Sequence, residues 1–110
     1  MDKDEAGAVR KDFHEAVNMA PKELEEWLGT DESRDAGQKS GGGESTGHRS
    51  GRRIVDILRT RQDDLSDADL EHMRKVTGYV ARHLAQRPDG DVTETAWRYS
   101  LMNWGHDPVK

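Results

Sequence analysis

Apolar residues recur at intervals of three and four along most of the chain, and no stretch alternates strictly enough to predict a strand. A first helix is predicted over about Glu5 to Val17, with Val9, Phe13, Ala16 and Val17 as its inward stripe and residues 1–4 frayed. Asn18-Met19-Ala20 breaks it, and Pro21 suits the first turn of a second helix. Leu24, Trp27 and Leu28 form that helix's buried edge, with Glu23, Glu25 and Glu26 early in it and Gly29 as its stop. A third helix is predicted from a cap at Ser50 to about Gln62, with Ile54, Val55 and Leu58 inward. Ser66 caps the fourth, since Asp69 stands at its third helical position. Leu70, Met73, Val76, Thr77, Val80 and Leu84 then mark the longest amphipathic run, which ends near Arg87 before Pro88-Asp89-Gly90. A fifth helix begins at a Thr93 cap and stops at Gly105, with Trp97, Leu101 and Trp104 on one face and Tyr99 turned away. Those two indoles are expected to close the core.

Between the second and third helices, residues 30–50, the periodicity disappears. Six of the eleven glycines fall between Gly37 and Gly51, among Ser, Thr, Lys and Asp. A long, flexible Gly-rich loop is predicted there, unusual in so small a domain. The fold class is all-α: one domain over residues 1–110, a compact bundle of about five helices.

Composition makes the core thin. Hydrophobic residues are 32% of the chain and charged residues 35%, against about 45–50% and about 25% in ordinary globular domains. Helical spacing and the six aromatics nevertheless argue for a folded chain. Cysteine is absent, which excludes disulfides, thiol catalysis and zinc-finger ligation. No apolar run approaches the roughly 18 residues that span a bilayer, and Met1-Asp-Lys-Asp-Glu5 lacks a signal-peptide core, so a cytoplasmic protein without a membrane partner is expected.

The net charge of −5 is unevenly placed: −6 over residues 1–47, +3 over 48–87 and −2 over 88–110. A basic middle between acidic ends can meet an anionic partner locally. Within it, His48, Arg49, Arg52 and Arg53 are expected to gather around the start of the third helix, an arrangement that suits a phosphate or carboxylate. Ion pairing with Glu44, Asp56 or a carboxylate of the N-terminal half is the competing use of those arginines. A second, outward stripe on the fourth helix reads His72, Lys75, Tyr79, Arg82 and Gln86. Cations beside an exposed aromatic suit a phosphate backbone or a stacked base, and they equally describe an ordinary solvated face.

Other constellations carry little. Gly42-Gly-Glu-Ser-Thr-Gly47 has two spaced glycines, but His48-Arg49 stand where a phosphate-binding loop needs Lys and then Ser or Thr. His72 and His83 share a helix face about 16 Å apart, too far for one metal ion. His106-Asp107 reads as a turn in which Asp107 bonds local amides. No catalytic residue, metal or cofactor is implied, and no enzyme is expected.

Four segments taken together resemble a known family: Phe13-His-Glu-Ala-Val-Asn-Met-Ala-Pro-Lys-Glu-Leu-Glu-Glu-Trp-Leu28, Gly47-His-Arg-Ser-Gly-Arg-Arg-Ile-Val-Asp-Ile-Leu58, His72-Met-Arg-Lys-Val76 and Trp97-Arg-Tyr-Ser-Leu-Met-Asn-Trp-Gly-His-Asp-Pro108. The family is the small microbial proteins grouped as domain of unknown function three-one-four-zero. Many relatives carry Thr or Ser before the proline, where this chain has Ala20, which removes a side-chain cap from the second helix. Some relatives bear the label DNA-binding protein, and no functional residues are assigned in the family. The resemblance therefore implies DNA as a partner without implying a reaction.

Two functional readings follow. In the first, a helical module binds nucleic acid, DNA above all, with Arg49, Arg52, Arg53, Lys75 and Arg82 on phosphates while His48 and Tyr79 add hydrogen bonds or stacking. In the second, the acidic N-terminal half pairs with the basic middle of a protein partner or a second copy, aided by Tyr99 and Met102.

Overall fold

The computed structural model describes residues 1–36 and 46–110. Among them are six α-helices and no strand: α1 (Lys3–Ala16), α2 (Pro21–Leu28), α3 (Asp31–Ala36), α4 (Thr46–Leu58), α5 (Asp67–Leu84) and α6 (Ala96–Asn103), with a 3-10 turn at Gln62–Asp64. α1 lies along α5 and α2 along α4, and the short α6 runs between these pairs, touching α2, α3, α4 and α5. The core is the sum of the predicted faces: Val9, Phe13 and Val17, Leu24 and Leu28, Ile54 and Val55, Leu70, Met73, Val76 and Val80, and Trp97, Leu101 and Trp104. Ala6, Met19, Ile57 and Val92 join it, while Leu84 stays exposed.

Helix ends differ from the expectation where packing overrides local signals. Asp2 caps α1 by accepting from the Glu5 amide at 2.7 Å, so Lys3 and Asp4 belong to the helix. Ala20 offers α2 no side-chain cap, yet the helix forms, and Glu23 reaches back to the Ala20 amide at 3.1 Å. Ser66 and Asp69 make the predicted reciprocal capping pair of α5, at 3.1 and 3.0 Å. Two other caps move. Thr95, not Thr93, caps α6 by accepting from the Arg98 amide, and Thr93 instead closes a turn on Asp91. Ser50 is no cap: α4 begins at Thr46, and Ser50 is buried inside it.

Both ends of the span expected as a 30–50 loop are helical, in α3 and α4. Thr30 bonds the Trp27 carbonyl at 2.7 Å and accepts from the Ser33 amide at 3.2 Å, which starts α3 with Asp31 and Glu32 at its positive end. α3 has no apolar stripe to betray it, because its buried residue is Ser33. The rest of the expected Gly-rich loop, positions 37–45, lies outside the described residues.

Two contacts at the end of α6 hold the layers together. Asn103 is fully buried; its Oδ1 accepts from Trp27 Nε1 at 2.9 Å and from the Ser33 hydroxyl, and its Nδ2 donates to the Ser33 carbonyl at 2.9 Å. Its own carbonyl faces Gly51, where an added Cβ would lie 2.5 Å from that oxygen and 2.7 Å from Leu28 Cδ2. Beyond α6, Gly105 turns with φ +82°, and its carbonyl accepts the amides of Asn18 and Met19. Arg98 holds Asp107 through two bonds of 3.1 Å, and Asp107 Oδ1 accepts the Val109 amide, as the turn reading expected.

Gly51→Ala is predicted to destabilise the fold by about 1–3 kcal/mol, the backbone clash outweighing Ala's helix preference. Gly78→Ala, whose Cβ would meet only the Arg82 guanidinium at 3.1 Å, is expected to be neutral or to gain up to about 1 kcal/mol. Urea denaturation of both variants checks the pair. Burial would raise the Asp107 pKa, but hydrogen bonds from Arg98 and the Val109 amide overcome it and hold the carboxyl below its ordinary range. The unfolded state therefore takes up this proton first, so the contribution is complete above about pH 4 and is lost as pH falls below it. Asp107→Asn should lower stability at neutral pH and make its decline between about pH 5 and pH 3 shallower, measured as urea midpoints across that range.

Candidate functional site

The sequence of α5 places His72, Tyr79 and His83 seven and four residues apart, and α6 with its C-cap places Trp97 and Trp104 seven apart. Seven residues are close to two helical turns, so each set projects from one face. The two faces meet antiparallel. His72 stacks on Trp104 at 6.3 Å, Trp104 on Tyr79 at 4.1 Å, Tyr79 on His83 at 5.3 Å and His83 on Trp97 at 6.0 Å, all within 15° of parallel. Arg87 closes the far end, its guanidinium carbon 5.4 Å from the Trp97 ring. A reciprocal pair locks that end: Trp97 Nε1 donates to the His83 carbonyl at 2.8 Å and His83 Nε2 to the Trp97 carbonyl at 3.2 Å. The ladder was legible only as two matching seven-residue spacings, because an outward reading of His72 and Tyr79 hides it.

Two open depressions adjoin the ladder. One, of about 440 Å³, is lined by Thr46 and Gly47 of α4, Lys75, Tyr79 and Arg82 of α5, and Ser100 and Trp104. The other, of about 180 Å³, lies among Thr46, Arg49, Ser50 and Arg53 of α4, His72 and Lys75 of α5, and Trp104. They share Thr46, Lys75 and Trp104, and so form one continuous surface. Five of the seven candidate residues, Arg49, Arg53, Lys75, Tyr79 and Arg82, line it. No carboxylate is among the described residues lining either depression. Asp69 reaches the edge, 3.5 Å from Arg53, while 44% of the Arg53 side chain stays exposed.

His48 and Arg52 do not join this surface. They point to another side of α4, into a third depression shared with Glu25, Leu28, Gly29, Val55 and Asp56. His48 Nε2 donates to the Leu28 carbonyl at 2.6 Å, which serves the end of α2. The extension of α4 back to Thr46 also puts Arg52 and Arg53 in its second turn, away from the exposed helix start where they were expected. Tyr79 lines the first depression from within the ladder. Its ring is engaged by two others, Trp104 and His83. Burial raises its pKa, partly offset by a hydrogen bond with Ser100. Tyr99, expected outward, rests on the Trp27 ring at 5.4 Å, and Met102 packs against the core.

His72 is the residue that residue-type reasoning undervalued. Its Nε2 lies 2.9 Å from the buried Ser50 hydroxyl. Burial first, then Arg53 and Lys75, push its pKa down, against the opposing pull of Asp69. Among the described residues no group of His, Asp and Glu is placed to hold a metal ion, and no helix is long and apolar enough to cross a membrane.

Comparison with curated proteins and with solved structures finds no match. A family model described as protein of unknown function (DUF3140) matches residues 12–102. Those limits take in the end of α1, all of α2 to α5 and α6 as far as Met102, and with them every ladder ring but Trp104; the chain belongs to the DUF3140 family.

Proposed function

We propose that the protein binds nucleic acid, DNA in the first instance, through phosphate contacts on the face where α4 meets α5. The observation that carries this reading is the convergence of Arg49, Arg53, Lys75 and Arg82 on two adjoining depressions that share Thr46, Lys75 and Trp104. In a chain with net charge −5, such a face concentrates positive potential while the rest of the surface repels polyanions. Binding would then be confined to one orientation. Tyr79, His83 and Trp104 each already stack with two other rings, which favours contacts to backbone oxygens over stacked bases. Nothing in this arrangement calls for turnover, a metal or a cofactor.

Four phosphate contacts correspond to a slope of about −3 to −4 in log affinity against log salt. A labelled duplex titrated at several sodium chloride concentrations should show it. Arg53→Glu and Lys75→Glu are each expected to weaken binding at least tenfold at low salt, and each lost contact should reduce the slope by about one. Arg52→Glu, on the side of α4 beside Glu25 and Asp56, should change affinity little. A duplex that is not retained at micromolar protein in low salt, or equal effects at positions 52 and 53, would refute the reading.

A further inference from the structure

We propose that the depression among Arg49, Ser50, Arg53, His72 and Lys75 is the seat of a single phosphate group, and that His72 takes up a proton when the seat is filled. The site is argued from its own geometry; the source of its phosphate, a nucleic-acid backbone, rests on the function proposed above.

Space and chemistry agree. The depression holds about 180 Å³, room for about six waters at ~30 Å³ each and so for a tetrahedral oxyanion with part of its hydration. Arg49 and Arg53 enter from α4 and Lys75 from α5. Guanidinium forks and an ammonium are the usual partners of phosphate oxygens. Ser50 supplies a neutral hydroxyl on the same wall, and that hydroxyl is already in contact with His72 Nε2.

That contact makes the seat sensitive to protons. The groups facing His72 are Arg49, Ser50 and Arg53 from α4, Asp69 and Lys75 from its own helix, and the uncharged Trp104 ring beyond α6. With the seat empty, burial and the two nearest cations favour neutral imidazole. An oxyanion among those cations cancels their field at His72. A proton from solvent then adds to the ring, Nε2–H donates to Ser50 Oγ, and the Ser50 hydroxyl hydrogen turns toward the anion. Linkage requires the converse: whatever raises the His72 pKa binds more tightly as pH falls through it.

The test follows the His72 ring proton by NMR in the full-length chain between pH 4.5 and 8, its signal assigned by its loss in His72→Asn. Three solutions of equal ionic strength are compared: sodium chloride, sodium sulfate, and sodium chloride with the short duplex. Sulfate is the probe because, unlike inorganic phosphate, it keeps one charge across this range. Sulfate should raise the His72 titration midpoint over that in chloride, and Arg53→Gln/Lys75→Gln, both at exposed positions, should abolish the rise. Sulfate affinity should increase several-fold from pH 8 to pH 5 in the native chain. In His72→Asn it should stay flat. If His72→Asn does not fold, the native chain and the double variant still decide the matter through the His72 signal. A midpoint that sulfate leaves unmoved, or that moves equally in the double variant, overturns the proposal. A duplex retained in the binding assay without any movement at His72 overturns the phosphate seat and leaves the nucleic-acid reading standing. Movement with sulfate, together with a duplex that is not retained, supports the seat, assigns it to a free oxyanion and removes the nucleic-acid reading.

Discussion

Asn103 is the point from which the rest of the structure takes its register. A buried amide left without partners would cost about 1–3 kcal/mol, so its bonds to Trp27 and Ser33 restrict the rotation of α6 more sharply than apolar contact does. The same residue's carbonyl lies against Gly51, so α4 can approach only where it presents no side chain. One position thus orients α2, α3 and α4 about the end of an eight-residue helix. A chain with 32% hydrophobic residues has little apolar area to spend on specifying an arrangement. A satisfied polar junction supplies that specificity within the space of one side chain.

Once α6 is fixed, the remaining geometry follows along the ladder. Trp97 and Trp104 project toward α5, and the rings of His72, Tyr79 and His83 interleave with them, which sets the roll of α5 about its axis. Lys75 and Arg82 each stand three residues after a ladder ring, His72 and Tyr79 respectively. Residues three apart are neighbours on a helix surface, so both cations come out along the same flank. The aromatic stack is a structural device with a consequence for charge: it lines up two cations of α5 beside the cations that α4 brings from the other side.

Much of this was legible in the order of residues, and what was not has identifiable causes. Spacings of three and four located the buried faces of α1, α2, α4, α5 and α6, because each face is apolar and long enough to repeat. They missed α3, whose inward residue is Ser33, since a polar contact has no hydropathy signature. Ser50 has the right chemistry for a cap, but Gly47 and Gly51 are helical because α4 must pass close to Trp104 and Asn103, and packing overrode their low propensity. His72 and Tyr79 were read as outward because they lie off the aliphatic stripe. That stripe faces α1 and the core, whereas the rings face α6. A helix with two packed faces gives one clean period and conceals the second.

The candidate site exposes a similar limit in charge counting. The +3 of residues 48–87 says that cations exceed anions there, but a step of one residue turns a side chain by 100°, and Arg52 and Arg53 accordingly part company. Arg52 turns toward the α2 side of α4, where Glu25 and Asp56 also lie. Arg53 turns toward α5. Two carboxylates of the N-terminal half sit at helix seams: Glu25 pairs with Arg59 at 2.8 Å across α2 and α4, and Glu5 with Arg74 across α1 and α5. Those two acids are therefore held away from the α4–α5 depressions, where Asp69 stands 3.5 Å from Arg53. Segregation of charge on this molecule is produced by which helices pair, and it could not have been read from the sign of any segment.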